Sequence, residues 1–153
     1  MKKLFFLLLG IFLLSFTPKK EKEDLNKENL WRTIVDQGIK FPDLVFAQAL
    51  LESGDLRSSL CVKSNNLFGM KMPTERKTVA KHGKNDYAKY DHWVQSVRDY
   101  KLLQEYLFRK REYTRSEYVE MLSRRYSETR DYVKRVRRVL NENKSVIDQN
   151  KIQ

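Results

Sequence analysis

The sequence predicts an α+β domain, mostly helical, with one small β-hairpin inserted between helices. Three observations carry this prediction. Apolar residues recur at helical spacing in five stretches, most of them opened by a residue suited to a helix cap or first turn. Between residues 72 and 90 the pattern changes to short, mostly polar arms around the glycine-containing "KHGKN". A lone cysteine, Cys61, excludes an intramolecular disulfide, and its neighbours Leu60 and Val62 suggest a small buried thiol.

At 153 residues the chain is one domain at most once its start is set aside. "MKKLFFLLLGIFLLSF" opens on two lysines and then runs apolar from Leu4 to Phe16, the pattern of an export signal. The run is shorter than the about 20 residues that a membrane span needs. Residues 1–17 are therefore expected to be a signal peptide or a signal anchor. Small residues at Ser15 and Thr17 suit cleavage and the following Pro18 does not, so both outcomes stay open. No cysteine follows the run, which excludes a lipoprotein anchor there. Residues 18–27 read as a charged linker, 28–143 as the folded domain, and 144–153 as a polar C-terminal tail. The expected location is periplasmic, cell-envelope or extracellular.

The formal net charge is +11, which favours anionic partners. Export argues against nucleic acid and leaves cell-wall polymers and membrane surfaces. Membrane attachment is expected only through the N-terminal apolar segment, and the protein is expected to be a monomer. His82 and His92 have no Cys or acidic cluster at metal-ligand spacing; neither is read as a ligand, and no metal or cofactor is expected.

Asn26 can cap a first helix through "KENLWRTIVDQG", ended by Gly38. "FPDLVFAQALLESG" is a second, with Pro42 and Asp43 in its first turn and Gly54 just past its end. "TERKTVA" and "NDYAKYD" read as the arms of the hairpin around "KHGKN", and Asp91 can cap the helix that follows. Thr114 and Glu117 form a capping box for "SEYVEMLSRRY". A final helix, from about Thr129 to Asn141, puts Tyr132, Val133, Val136 and Leu140 on one stripe and its basic residues mainly elsewhere.

Glu52 stands out because a core helix has no need of a carboxylate in its last turn. There the unpaired carbonyls and the negative end of the macrodipole disfavour ionisation, and apolar neighbours push the same way. Both effects suit a general acid that must hold a proton near neutral pH. The local residues alone fit an exposed helix-end glutamate better. Gln48 lies four residues before Glu52, on the same helix face.

The segments downstream favour the acid. "AQALLESG" followed by "NNLFGMK", then "YAKYDHW", "SVRDY" and "RRYSETRDYVKRV", resembles the bacterial glucosaminidases of glycoside hydrolase family 73, the endo-β-N-acetylglucosaminidase domains of autolysins and of the flagellar rod-cap hydrolase. The resemblance covers about residues 30–140. It implies a lysozyme-like helical lobe with a small β-hairpin lobe, and an enzyme cleaving the β-1,4 bond after N-acetylglucosamine in peptidoglycan glycan strands. A lytic transglycosylase shares the Glu-Ser helix and ranks second; a non-catalytic wall-binding module of the same fold is the alternative of another class.

By this resemblance Glu52 is the general acid. Most glycosidases add a second carboxylate; Glu75 lies near the place expected for it, whereas Asp91 is better explained as a cap and Asp86 as a turn residue. The substrate's own acetamido group can instead attack the anomeric carbon, with Tyr90 orienting it or a water. Gln48, Asn65, Asn66, Phe68, Lys71 and Trp93 complete the expected substrate contacts: amides for hydroxyl edges, aromatic rings for apolar sugar faces, and a lysine for a lactyl or stem-peptide carboxylate.

Overall fold

The computed structural model describes residues 24–125 and 131–150; the expected export signal lies outside them. Helix α1 (Lys27–Asp36) starts where expected, with the Asn26 side chain accepting from the Asn29 N–H at 2.8 Å. Helix α2 (Pro42–Glu52) is buried along almost its whole length, from Leu44 to Leu50. A helix apolar all round needs neighbours on every side, and α1 and α6 (Tyr132–Glu142) supply them.

After α2 comes a short helix, α3 (Ser59–Ser64), which the sequence pattern did not announce. The Ser58 hydroxyl caps it by accepting from the Cys61 N–H at 3.2 Å. Cys61 is buried as expected, and burial pushes its thiol pKa up, away from thiolate chemistry.

The hairpin is shorter than its sequence suggested. Strands β1 (Lys81–His82) and β2 (Ala88–Lys89) pair antiparallel, Lys81 opposite Lys89 and His82 opposite Ala88. Residues 74–79, expected as one arm, form no ladder; part of the expected turn is strand instead. Gly83 makes this turn feasible, because a Cβ there would lie 2.6 Å from the Tyr87 carbonyl oxygen. On the other side of β2 the segment 70–72 adds a third, strand-like run: the Ala88 N–H donates to the Met70 carbonyl at 2.9 Å and the Met72 N–H to that of Asp86 at 2.7 Å. The "NNLFGMK" segment thus leads straight from α3 into the sheet.

Helix α4 (Trp93–Leu107) is capped by His92, whose Nδ1 accepts from the Val94 N–H at 3.3 Å. This corrects the expectation for Asp91, which pairs with Lys81 at 2.7 Å instead. Asp86 sits in the turn as expected, in the single-turn 3-10 helix Lys84–Asp86. Helix α5 (Arg115–Arg125) opens on the expected capping box: Glu117 Oε2 accepts from the Thr114 N–H at 2.7 Å, and the Glu117 N–H donates to the Thr114 hydroxyl at 3.2 Å. Residues 144–149, expected as part of a polar tail, form helix α7 (Lys144–Gln149), which buries Ile147 and packs on α1 and α6. The tail reads as polar because two apolar residues in six, Val146 and Ile147, are enough to seat so short a helix.

Candidate active site

Glu52 is the last residue of α2, and the "ESG" sequence builds the turn that follows it. Ser53 is fully buried, and its hydroxyl accepts from the Leu56 N–H at 3.0 Å. Gly54 takes a left-handed φ of +57°, which glycine adopts without steric cost. The chain therefore turns sharply away and leaves the Glu52 carboxyl half-buried at the helix end.

The two carboxyl oxygens have different surroundings. Oε1 accepts from the Tyr132 hydroxyl at 2.8 Å. Oε2 looks onto the turn at Gly69, where an added Cβ would stand 3.7 Å away and where φ is +62°. Burial raises the Glu52 pKa above the ordinary carboxyl range, while the Tyr132 hydrogen bond and the charge of Arg135 oppose part of that rise. With Oε1 occupied as an acceptor, a proton on Glu52 belongs on Oε2.

Behind Glu52 lies a lattice of amide and phenol groups. Gln48 Nε2 donates to the Tyr132 hydroxyl at 3.3 Å, and Gln48 Oε1 lies 2.9 Å from the Tyr100 hydroxyl and 2.6 Å from that of Tyr118. Gln48 is 0 % exposed. Its amide is consumed in orienting Tyr132, so it is not the substrate contact that its shared face with Glu52 suggested.

A cavity of about 470 Å³ opens in front of the carboxyl, of a size that suits a small organic ligand. Glu52, Phe68, Lys71 and Glu75 all line it, with Tyr106 and Arg125 from α4 and α5. Four of the expected site residues therefore share one space. Phe68 is stacked on Tyr100 at 4.1 Å between ring centroids, so it serves as a wall. Lys71 is exposed, donates to the Asn85 carbonyl at 2.7 Å and lies over the Tyr87 ring. Glu75 is exposed on the irregular segment after Met72.

Among the described residues, the other expected contacts line no part of this cavity. Asn66 is 1 % exposed and ties the loop to the sheet: its Nδ2 donates to the Met70 and Ala88 carbonyls at 2.8 Å each, and its Oδ1 accepts from the Met70 N–H at 3.0 Å. Asn65 holds a left-handed C-cap and donates to the Tyr90 carbonyl at 3.0 Å. Trp93 is buried at the start of α4. Tyr90 is also buried, and its hydroxyl donates to Asp99 Oδ2 at 2.8 Å. Burial and the Asp99 charge push that hydroxyl far above its ordinary pKa, so it stays a donor. Asn65, Asn66 and Tyr90 thus tie the loop to the hairpin and α4, and Asn66, Tyr90 and Trp93 are buried away from the cavity.

Asp99 is a hub that the sequence reading passed over. It is 0 % exposed and takes a bidentate pair of bonds from Arg76, each 2.9 Å, besides the bond from Tyr90. Burial alone would raise its pKa; the bonds from Arg76 and Thr78 outweigh this and hold it below the ordinary range. Asp99 thus ties the segment carrying Glu75 to α4. A carboxylate between the buried Val97 and Tyr100 of α4 was the available signal, since such a group needs a cationic partner. For Tyr132 the signal was weaker: a phenol on an apolar stripe needs a partner for its hydroxyl.

Comparison with protein-family models matches residues 31–145 to the glucosaminidase family, described as mannosyl-glycoprotein endo-beta-N-acetylglucosaminidase. No curated protein matches the sequence. Among solved structures the chain is similar to the catalytic domain of the autolysin Auto from Listeria monocytogenes, with a TM-score of 0.54 and 20 % identity over 78 % of this chain and 86 % of that one. At that identity the likeness speaks to the fold, which is the lysozyme-like α+β arrangement of a helical lobe and a small hairpin. The family match spans most of the chain and the fold agrees with it: this chain belongs to the endo-β-N-acetylglucosaminidase family and is a glycoside hydrolase.

Proposed function

We propose that the protein is an exported peptidoglycan hydrolase that cleaves the β-1,4 bond after N-acetylglucosamine, with Glu52 as general acid. The observation that carries this reading is the asymmetry of the Glu52 carboxyl: Oε1 is held by Tyr132, while Oε2 lies toward Gly69, which lines the same cavity, and burial raises the group's affinity for its proton. A group so placed can protonate the leaving glycosidic oxygen as the C1–O bond breaks. The positive charge that develops on the sugar then meets Glu75, which lines the same cavity and serves as the second carboxylate. Water adds to C1 and sheds a proton, which restores the acid. Lys71 supports recognition of a carboxylate on the glycan or its stem peptide, and the basic balance of the chain suits that anionic polymer. Action outside the cytoplasm follows from the export pattern of the first residues and from the location of such a substrate.

Digestion of purified peptidoglycan followed by mass spectrometry tests the reading, with Glu52→Gln in parallel. The expected products are reducing N-acetylglucosamine ends made by the parent protein and not by the variant. Anhydro-muramic ends would reassign the chemistry to a transglycosylase, and an active Glu52→Gln protein would remove Glu52 from it.

A further inference from the structure

The cavity in front of Glu52 continues past its own rim. A second cavity of about 890 Å³ shares Glu75, Arg76, Tyr106 and Leu107 with it. Tyr106 stands where the two meet. It lies in the last turn of α4 and is 45 % exposed, whereas Tyr100 of the same helix is 2 % exposed. Leu103, three residues earlier, lines the first cavity and Leu102, four residues earlier, lines the second. At helical spacing these side chains and Tyr106 form one apolar strip that passes from one cavity to the other. Among the described residues the Tyr106 ring has no aromatic or cationic neighbour, and its hydroxyl has no hydrogen-bond partner.

The rim of the second cavity carries both signs of charge: Glu75 and Glu105 on one side of the count, Lys77, Arg109 and Lys110 on the other, with Arg76 already committed to Asp99. Such a rim suits the hydroxyls of a sugar ring, which donate to carboxylates and accept from ammonium and guanidinium groups. An exposed aromatic ring at the centre suits the same ligand, because a pyranose presents an apolar C–H face. Arg109 and Lys110 hold consecutive left-handed φ values of +49° and +57° directly after α4, a costly backbone choice that tends to occur at functional sites.

We propose that this second cavity is an extension of the glycan cleft, in which Tyr106 is the stacking platform for a hexosamine ring of the strand beyond the one bound at Glu52. The proposal rests on the first cavity being the glycan site. A strand long enough to fill both cavities places a sugar ring in the second, against Tyr106, and a short fragment confined to the first places none there.

The test titrates soluble peptidoglycan glycan fragments of one and of several disaccharide units into the full chain carrying Glu52→Gln, by calorimetry, with and without Tyr106→Ala. In the Tyr106 protein the long fragment is expected to bind about tenfold tighter than the short one, a difference within reach of one aromatic contact. Tyr106→Ala should abolish that advantage, while Tyr106→Phe should keep it, since the ring and not the hydroxyl supplies the platform. Equal affinity for both lengths, or a length advantage that survives Tyr106→Ala, would overturn the proposal. Hydrolysis by the parent protein is read separately: cleavage without length dependence defeats the extension alone, and length-dependent binding without cleavage defeats the assigned chemistry alone.

Discussion

The two walls of the cavity are held in place by different means. On the Glu52 side two packed helices, α2 and α6, bring the acid together with Tyr132, and Gln48, Tyr100 and Tyr118 brace that contact from behind. On the Glu75 side an irregular segment forms no strand pairing over residues 74–79 and hangs on one buried carboxylate, Asp99. The first wall is redundant, with several neutral bonds each worth about 1 kcal/mol net. The second depends on a single charged clamp whose loss costs about 3–5 kcal/mol. The carboxyl proposed as the general acid is therefore built into the helical core. The facing group sits on a segment that small changes can reshape.

This contrast can be broken or sharpened by mutation. The largest effect is expected at Glu52, where Gln should lower hydrolysis by about 10³-fold, measured as release of reducing ends. Next comes the clamp. Arg76→Met leaves Asp99 buried without its cation and should cost about 3–5 kcal/mol of stability in a denaturant titration; near-normal stability would show that the loop wall has other anchors. Glu75→Gln should reduce turnover by about 10²-fold if that carboxylate meets the developing charge. A loss below about tenfold would hand the role to the substrate's acetamido group and make the loop wall a recognition element only.

Smaller effects probe the helical wall. Tyr132→Phe removes one hydrogen bond to Glu52, a change of about 1 kcal/mol. That bond lowers the Glu52 pKa against the effect of burial, so its removal should raise the pKa further. A general acid is active while protonated, so activity is lost as pH rises through its pKa, and the alkaline limb of the rate profile should move to higher pH. An unmoved limb would separate Tyr132 from the acid. The smallest effect concerns stability. A carboxyl whose folded pKa lies above its unfolded value contributes stability below the unfolded pKa and loses it as pH rises through the folded one. Glu52→Gln, which cannot ionise, should therefore melt slightly higher than the parent protein at neutral pH and no higher at acid pH.

Much of the helical lobe was legible because its signals are local. The Asn26 cap, the Pro42 start of α2 and the Thr114–Glu117 box each act within one turn and appear as read. Helix α3 was hidden because six residues are too few to show a period, and its main cue is the Ser58 cap. Asp91 and His92 are both able to cap, and only the geometry of the chain leaving β2 selects the histidine. At the site, Gln48 and Asn66 were read as ligand-facing amides, yet both are buried and fully used inside the protein. An amide looks the same in sequence whether it points inward or outward.

By itself the sequence determined the helix that ends on Glu52 and the glycine turn just past its end. Each of these follows from capping, backbone freedom or periodicity over a few residues. The tertiary structure alone decided the partners. Tyr132 reaches Glu52 across 80 residues of chain, Arg76 finds Asp99 across 23, and of the three acidic candidates near the hairpin only Glu75 lines the cavity with Glu52. Those pairings depend on how α6 and α4 pack against α2 and the loop, and burial turns them from weak surface contacts into the bonds that hold the site.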